Sequence, residues 1–379
     1  MSAAPGARRH LAEVDVLRIL TFACVIAVHV IDHTLDPDDR LMWGVLGLTH
    51  FTREVFFALT TFVLVYTAKG RPPRPWRATW PRRFLLVGVP YLVWSAVYVA
   101  YSWSTSPKGD GWALLLRYLQ SLVVGDGGYH LYFLLVTMQV YLLMPLILRF
   151  VAATRRHHVL VLAIALVAQL LVLGVWEYVP GVGAALGNTD NATFPSYTFM
   201  ILAGAIAADH ADAFLAWIRE RRAAVVALVV GTGALAIVVF LLNAILLHLS
   251  DSRSVTALQP VIAIWATGIG IGFLAAGAWW ADRRDPASRL SRLVSTASDI
   301  SFGVFLVHPL VIYVVLRIGG AAIRPGLADP WRQLAVYVVV VAVSIGFAYV
   351  ARRTPLSLPL TGRPRMRRSP AREPERVAA

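Results

Sequence analysis

Two basic side chains of different chemistry share one helical face near the start of the chain. Arg18 and His29 lie eleven residues apart in an apolar run. Eleven steps of about 100° return to the same face of an α-helix, about 16 Å further along its axis. A guanidinium matches phosphate oxygens, and an imidazole takes up and releases protons near neutral pH. The spacing is compatible with an anion site and a proton-transfer group in one cavity, and equally with an arginine at lipid headgroups and a structural histidine.

Three more ionisable side chains lie within or beside later apolar runs. Glu54 opens the second run, where it is placed to orient a histidine or to pair with neighbouring Arg53, and the pairing is favoured. His130 stands at the outer end of the fourth run, where ring side chains are also common as an interfacial belt. His308 precedes Pro309 in the ninth run, so a helix kink is predicted there. Charges are costly to bury in a membrane, so such residues are candidates for function.

The segment between the second and third runs is strongly basic, with six Lys and Arg in residues 69–83. Arg82 and Arg83 are the best placed to bind phosphate, because they stand where the third run begins. Membrane topology alone would also explain these charges. No metal site is predicted: His29 and His33 have helical i, i+4 spacing, but no third ligand is placed beside them.

The composition excludes a soluble globule. Of the 379 residues 58% are hydrophobic and 15% charged, with a mean hydropathy of +0.65, whereas soluble domains are about 45–50% apolar and about 25% charged. Backbone polar groups cannot stay unpaired in lipid, so each apolar run is predicted to be a helix. The sequence predicts an all-α, polytopic membrane bundle of about ten spans, near residues 14–31, 51–67, 84–102, 130–150, 159–176, 193–208, 223–249, 256–280, 300–318 and 334–351.

The net charge is +14, and the loops between the apolar runs are alternately rich and poor in Lys and Arg. The positive-inside rule then places both termini in the cytoplasm, in agreement with an even number of spans. The charge is explained by topology, so a nucleic-acid partner is not expected. We expect a membrane domain over residues 1–351 of a multi-pass protein of the cytoplasmic membrane. Residues 352–379 are predicted to form a disordered, basic, proline-rich cytoplasmic tail.

Five segments, taken together and in order, resemble the membrane acyltransferase-3 family. The first has an Asp-x-x-Arg followed by a histidine; the others have a Phe-Phe pair, a basic pair before Pro-Tyr-Leu, a His-Leu-x-Phe-Leu, and a histidine after Ser-x-Gly. Tyr132 stands where the family has tryptophan, and Thr60-Thr61 replaces Ser-Gly. The matching residues are Asp15, Arg18, His29, Phe56, Phe57, Phe62, Arg82, Arg83, Pro90, Tyr91, Leu92, His130, Leu131, Phe133, Leu134, Tyr141, Pro145, Ser301, Gly303, Leu306 and His308.

The resemblance implies transfer of an acyl group, usually acetyl from acetyl-CoA, to a hydroxyl of a cell-surface or lipid-linked carbohydrate, without a metal. His29 is the expected general base, and Arg18, with Arg82 or Arg83, would hold the donor phosphates. Glu54, His130 and His308 would orient catalytic groups, and Asp15 and Tyr132 would support them. We expect one cavity to join Arg18 to His29. A transporter or flippase for a lipid-linked saccharide and a membrane sensor or scaffold remain alternatives.

Overall fold

The computed structural model describes residues 9–69, 76–182, 185, 191–323 and 329–366, and these residues contain helices and no strand. Two short 3-10 turns, Arg155–His157 and Phe194–Tyr197, interrupt them. The helices are α1 (Ala12–Thr34), α2 (Arg40–Thr49), α3 (Thr52–Ala68), α4 (Trp76–Thr105), α5 (Gly111–Val124), α6 (Tyr132–Ala153), α7 (His158–Tyr178), α8 (Thr198–Asp209), α9 (Ala211–Glu220), α10 (Arg222–Ile245), α11 (Asp251–Ser254), α12 (Val261–Arg283), α13 (Arg289–Ile323), α14 (Trp331–Ala351) and α15 (Ser357–Thr361).

The predicted helical membrane bundle is confirmed. Within the described ranges nine helical spans are long and apolar enough to cross a membrane, or ten if α8 and α9 form one span bent by 92°. Sequence periodicity did not predict α2 or α5 as separate helices. α5 has only 14 residues, fewer than the roughly 20 that cross a bilayer, so a search for spans passes over it.

α1 lies at the centre of the bundle. It packs against α3, α12, α13 and α14. Val14, Phe22 and Val30, each about two turns from the next along α1, are nearly inaccessible. Because its neighbours are protein helices, the polar side chains of α1 face other helices and not lipid alone.

The helices α3 and α8 approach each other closely at Gly204. A Cβ at this position would collide with the carbonyl of Ala58 and the hydroxyl of Thr61 on α3. Thr61 donates to the carbonyl of Phe57 at 3.0 Å, as expected for a threonine inside a helix. Thr60-Thr61 stands where the resemblance has Ser-Gly, and the close approach of these two helices is provided instead by a glycine on the opposite helix.

The prediction of a disordered tail is wrong for residues 352–366. We name residues 352–366 the return segment. In this segment the Arg352 guanidinium donates a hydrogen bond to the carboxylate of Asp299 on α13, at 2.5 Å. The Trp94 indole of α4 donates to the Leu360 carbonyl at 3.3 Å, and Ser357 is completely buried. Composition suggested disorder, but charge pairing and packing against α4, α13 and α14 order the segment. Residues 367–379 lie outside the described residues.

Candidate active site

Three predicted histidines meet in the bundle. The ring of His29 on α1 stacks on that of His308 on α13, with centroids 5.3 Å apart and planes 27° apart. His130, just before α6, packs edge-on against His308 at 5.5 Å. The position of Tyr129 in the sequence indicates only an aromatic residue at the membrane interface. In the structure the centroid of its ring lies 4.5 Å from that of His29. These four residues are named the histidine cluster. His308 is completely buried, and His29 keeps partial exposure.

Pro309, the residue after His308, determines how the His308 ring is held. Pro309 has no N–H, so the carbonyl of Phe305, four residues earlier, loses its helical donor. Nδ1 of His308 replaces it, at 2.7 Å from that carbonyl oxygen. A carbonyl only accepts, so Nδ1 carries the hydrogen and Nε2 carries the lone pair of the neutral ring. Nε2 is buried with no hydrogen-bond partner among the described residues, and is therefore available to accept a proton or hydrogen bond.

Tyr98 of α4 supports the same turn. Its hydroxyl donates to the carbonyl of Leu306 at 2.8 Å and accepts from the N–H of Leu310 at 3.2 Å. The phenol thus bridges two backbone groups of α13 on either side of His308. Sequence reasoning missed Tyr98, because its role depends on how α4 packs against α13.

Replacing Tyr98 with phenylalanine is expected to reduce catalysis beyond its effect on stability. Removing the bridge frees Leu306 and Leu310 to bond to each other, which would rearrange this turn of α13 and shift His308. We expect about a tenfold loss of turnover and about 1 kcal/mol of lost stability, the usual net value of a hydrogen bond. Transfer rates and thermal unfolding in detergent measure the two effects.

Tyr337→Phe is the matched control, because the Tyr337 hydroxyl also donates one hydrogen bond between helices, to the Ala23 carbonyl at 3.2 Å. It should lower stability similarly and leave turnover near the wild-type value. Equal turnover in both variants would show that Tyr98 does not position His308.

At the other end of α1, Arg18 is held by a short polar network. Its Nη1 donates to the Ser298 hydroxyl at 2.8 Å, and that hydroxyl donates to Asp15 Oδ1 at 2.7 Å. Asp15 and Arg18, three residues apart on α1, form an ion pair at 3.6 Å. His10 reaches the second Asp15 oxygen at 2.6 Å. Ser298 is a partner that helical spacing could not reveal, because it lies 280 residues away in the chain.

Arg18 lines a cavity of about 240 Å³, here called the arginine cavity. Arg363 of the return segment and Tyr141 of α6 also line it, and the Arg83 guanidinium lies 5.6 Å from the centre of the Tyr141 ring. Arg82 is exposed and is not part of the lining. Of the two arginines that the basic pair offered for phosphate binding, Arg83 is therefore the nearer.

Four aromatic rings separate the arginine cavity from the histidine cluster. Phe22 contacts Phe56 at 5.0 Å between centroids, and Phe56 contacts Phe133 at 4.3 Å. Phe305 packs 5.8 Å from Phe22 and 5.1 Å from His130. We name these the phenylalanine layer. The expectation that Arg18 and His29 share one open cavity is wrong in this conformation, because helical spacing gives direction and distance but not what fills the space between.

Glu54 belongs to a different polar cluster. Its Oε2 accepts from Gln169 of α7 at 3.3 Å, and neighbouring Arg53 donates to Asn191 at 2.6 Å. Tyr132 hydrogen-bonds with Arg53. The described contacts link neither Glu54 nor Tyr132 to the histidine cluster. The idea that Glu54 orients a histidine is not supported, and its interaction with structural partners is the better interpretation.

Beyond Tyr129 lies a second cavity, of about 690 Å³, here called the tyrosine cavity. Tyr101 and Tyr313 stack on its wall with centroids 5.4 Å apart, and Arg117 pairs with Asp126 at 2.8 Å. Tyr129 is shared between this cavity and the histidine cluster. A ligand in the tyrosine cavity would thus lie one aromatic ring away from His29.

One group of metal-ligating types occurs elsewhere in the described chain. His158, Asp209 and His210 have ligand atoms within 4.8 Å of one another. Asp209 already pairs with Lys69 at 2.8 Å and Arg155 at 3.2 Å. These two cations would oppose a bound metal ion, so the group is interpreted as a charge and hydrogen-bond network.

A match to a known protein family covers most of the chain. The family model described as an acyltransferase domain, that of the acyltransferase-3 family, matches residues 11–351. Neither a curated protein nor a solved structure matches significantly. The matched range contains the histidine cluster, Arg18 and the phenylalanine layer. The chain therefore belongs to the acyltransferase-3 family and is a multi-pass membrane acyltransferase.

Proposed function

We propose that this protein moves an acyl group, most simply acetyl, from acyl-CoA to a hydroxyl of a carbohydrate. The observation that carries the proposal is the division along α1, with an arginine cavity on one side of the phenylalanine layer and three histidines on the other. By the positive-inside rule, the arginine end faces the cytoplasm of a cell membrane. Donor and acceptor would therefore enter from opposite sides.

The donor would bind by its charged end. Coenzyme A carries several phosphate charges, and guanidinium groups bind phosphate through paired, charge-assisted hydrogen bonds. Arg18 is held in place by Ser298 and Asp15, which supports its use as a fixed phosphate ligand. The uncharged pantetheine arm would extend between the phenylalanine rings toward His29, over about 16 Å of helix. Side-chain rotation in the phenylalanine layer would open that route.

The transfer step needs a base for the attacking hydroxyl. His29 would take the hydroxyl proton as the oxygen attacks the thioester carbonyl and forms the new C–O bond. When the C–S bond breaks, the imidazolium would return the proton to the departing thiolate. His308 and His130 would hold the His29 ring by the contacts described. Tyr129, which contacts His29 and lines the tyrosine cavity, would guide the acceptor hydroxyl to His29.

The tyrosine cavity suits a hydroxyl-rich acceptor. Its volume is about 690 Å³, within the range of roughly 300–1,000 Å³ that holds small ligands. Flat aromatic rings pack against the C–H faces of sugar rings, and Gln120, Arg117 and Asp126 on the same wall offer groups that bond to hydroxyls. A sugar ring of a surface or lipid-linked glycan is the acceptor we propose.

A transfer assay tests this function. The purified protein in lipid vesicles is supplied with acetyl-CoA labelled in its acetyl group and with membrane glycolipids as acceptors. We expect label to appear in the carbohydrate and free thiol to appear in equal amount. Movement of glycolipid across the vesicle without acetyl transfer would instead establish the transporter alternative and contradict the proposal.

A wider ring in the phenylalanine layer is expected to slow transfer without weakening donor binding. Phe22→Trp enlarges a side chain that contacts both Phe56 and Phe305. The phosphates bind outside this layer, so the affinity for coenzyme A should change less than twofold while turnover falls about tenfold. Binding titration and single-turnover rates separate the two quantities.

Phe150→Trp makes the same exchange at a site 43% exposed on the outside of the bundle and should change neither quantity. An unchanged rate in Phe22→Trp would show that the acyl group does not pass Phe22.

A further inference from the structure

The return segment is built into one wall of the arginine cavity. Gly362 follows α15 with a left-handed φ of 64°, where glycine is favoured. A Cβ at Gly362 would collide with the Phe302 ring and the Leu86 carbonyl. Both Gly362 and Arg363 line the cavity. The tight fit of Gly362 between α4 and α13 sets where the Arg363 side chain begins.

Positive charge exceeds negative charge around this cavity. Asp299 is shared by two arginines, Arg352 at 2.5 Å and Arg363 at 3.7 Å. Asp15, the partner of Arg18, is also shared with His10. Arg363 lies close enough to Arg18 for their like charges to interact. Two guanidinium groups facing one cavity are stabilised when an anion binds between them.

Arg363 is free to turn toward such an anion. Its side chain is 44% exposed, and its single carboxylate contact is 3.7 Å long. Exposed pairs of this kind contribute little, about 0–1 kcal/mol. Arg352 differs, because it is 8% exposed, is bonded to Asp299 at 2.5 Å, and anchors the segment. Arg352 and Arg363 of the return segment thus have separate roles.

We propose that Arg363 binds a phosphate of the acyl-CoA donor together with Arg18, so that the return segment completes the donor site. This inference rests on the proposed function and adds a residue to it. Residues 352–366 lie beyond the range 11–351 that matches the family. Arg363 was also grouped by composition with a disordered tail, and only packing brings it to Arg18.

Arg363→Gln tests the inference through a change in the donor. With acetyl-CoA, we expect KM to rise about tenfold, the loss typical of one charge-assisted hydrogen bond, with kcat within twofold. With acetyl-pantetheine, which has the same thioester and no phosphate, the variant should match the wild type. Arg363→Lys should raise the KM for acetyl-CoA less than Arg363→Gln does, because the positive charge is kept. A purely structural defect would lower transfer from both donors.

Arg365→Gln is the matched control on the same segment. Its Nε donates to the Arg353 carbonyl at 2.7 Å, away from the cavity, so the KM of this variant for acetyl-CoA should not change.

Three results would overturn the inference. If Arg18→Gln raises the KM for acetyl-CoA and Arg363→Gln does not, Arg363 is not part of the donor site, and acyl-CoA remains the donor. An equal loss with both donors would assign Arg363 a structural role. A wild-type protein that transfers from neither donor would overturn the proposed function as well.

Discussion

Alanine in place of His29 is expected to lower acyl transfer by about 10²–10⁴-fold, the usual contribution of a positioned general base. The loss should fall on kcat, because His29 lies beyond the phenylalanine layer from the arginines that would bind the donor. Initial rates of labelled acetyl transfer at saturating acetyl-CoA measure it. Coenzyme A affinity should remain within twofold of the wild type, which also shows that the variant is folded.

His33→Ala is the closest control for His29. His33 lies one turn further along α1, and its ring is 5.5 Å from both Tyr129 and Tyr313. It does not contact His308 in the described structure, so its removal should reduce turnover less than tenfold. If His29→Ala keeps near wild-type turnover while His308→Ala loses it, the base is His308, whose Nε2 also carries a lone pair.

Glutamine in place of Arg18 is expected to have the second largest effect, on the donor. The change removes a guanidinium that the Ser298 hydroxyl and Asp15 hold toward the arginine cavity. Hydrogen bonds to charged groups contribute about 1.5–3 kcal/mol, which corresponds to a loss of about 10–150-fold in affinity for coenzyme A. Equilibrium binding of coenzyme A to the purified protein measures this loss without any acceptor.

Arg82→Gln distinguishes a specific loss from a general loss of positive charge. Arg82 belongs to the pair that the sequence proposed for phosphate binding, but it is exposed and away from the cavity. The affinity of the Arg82→Gln variant for coenzyme A should change less than threefold. Equal losses in Arg18→Gln and Arg82→Gln would place the phosphates outside the arginine cavity.

Much of the site was predictable because its first members lie on single helices. Arg18, Asp15 and His29 share a face of α1, and this relation depends only on helical periodicity. The loss of one helical donor beside His308 was also predictable, since Pro309 lacks a backbone N–H wherever the helix lies. Glu54 shows the limit of such reasoning: its position allowed it to orient a histidine, but it accepts a hydrogen bond from Gln169 of α7.

The amino-acid sequence is enough to define the apolar spans, the membrane class of the protein and the side chains that α1 presents along one face, because these follow from local composition and period. Which helices stand opposite that face is apparent only in the folded bundle. Ser298, Tyr98 and Arg363 reach the site from distant parts of the chain, and the phenylalanine layer fills what spacing alone left open. Packing between helices depends on the complementary shapes of remote segments, and no local pattern of residues records which segments will meet.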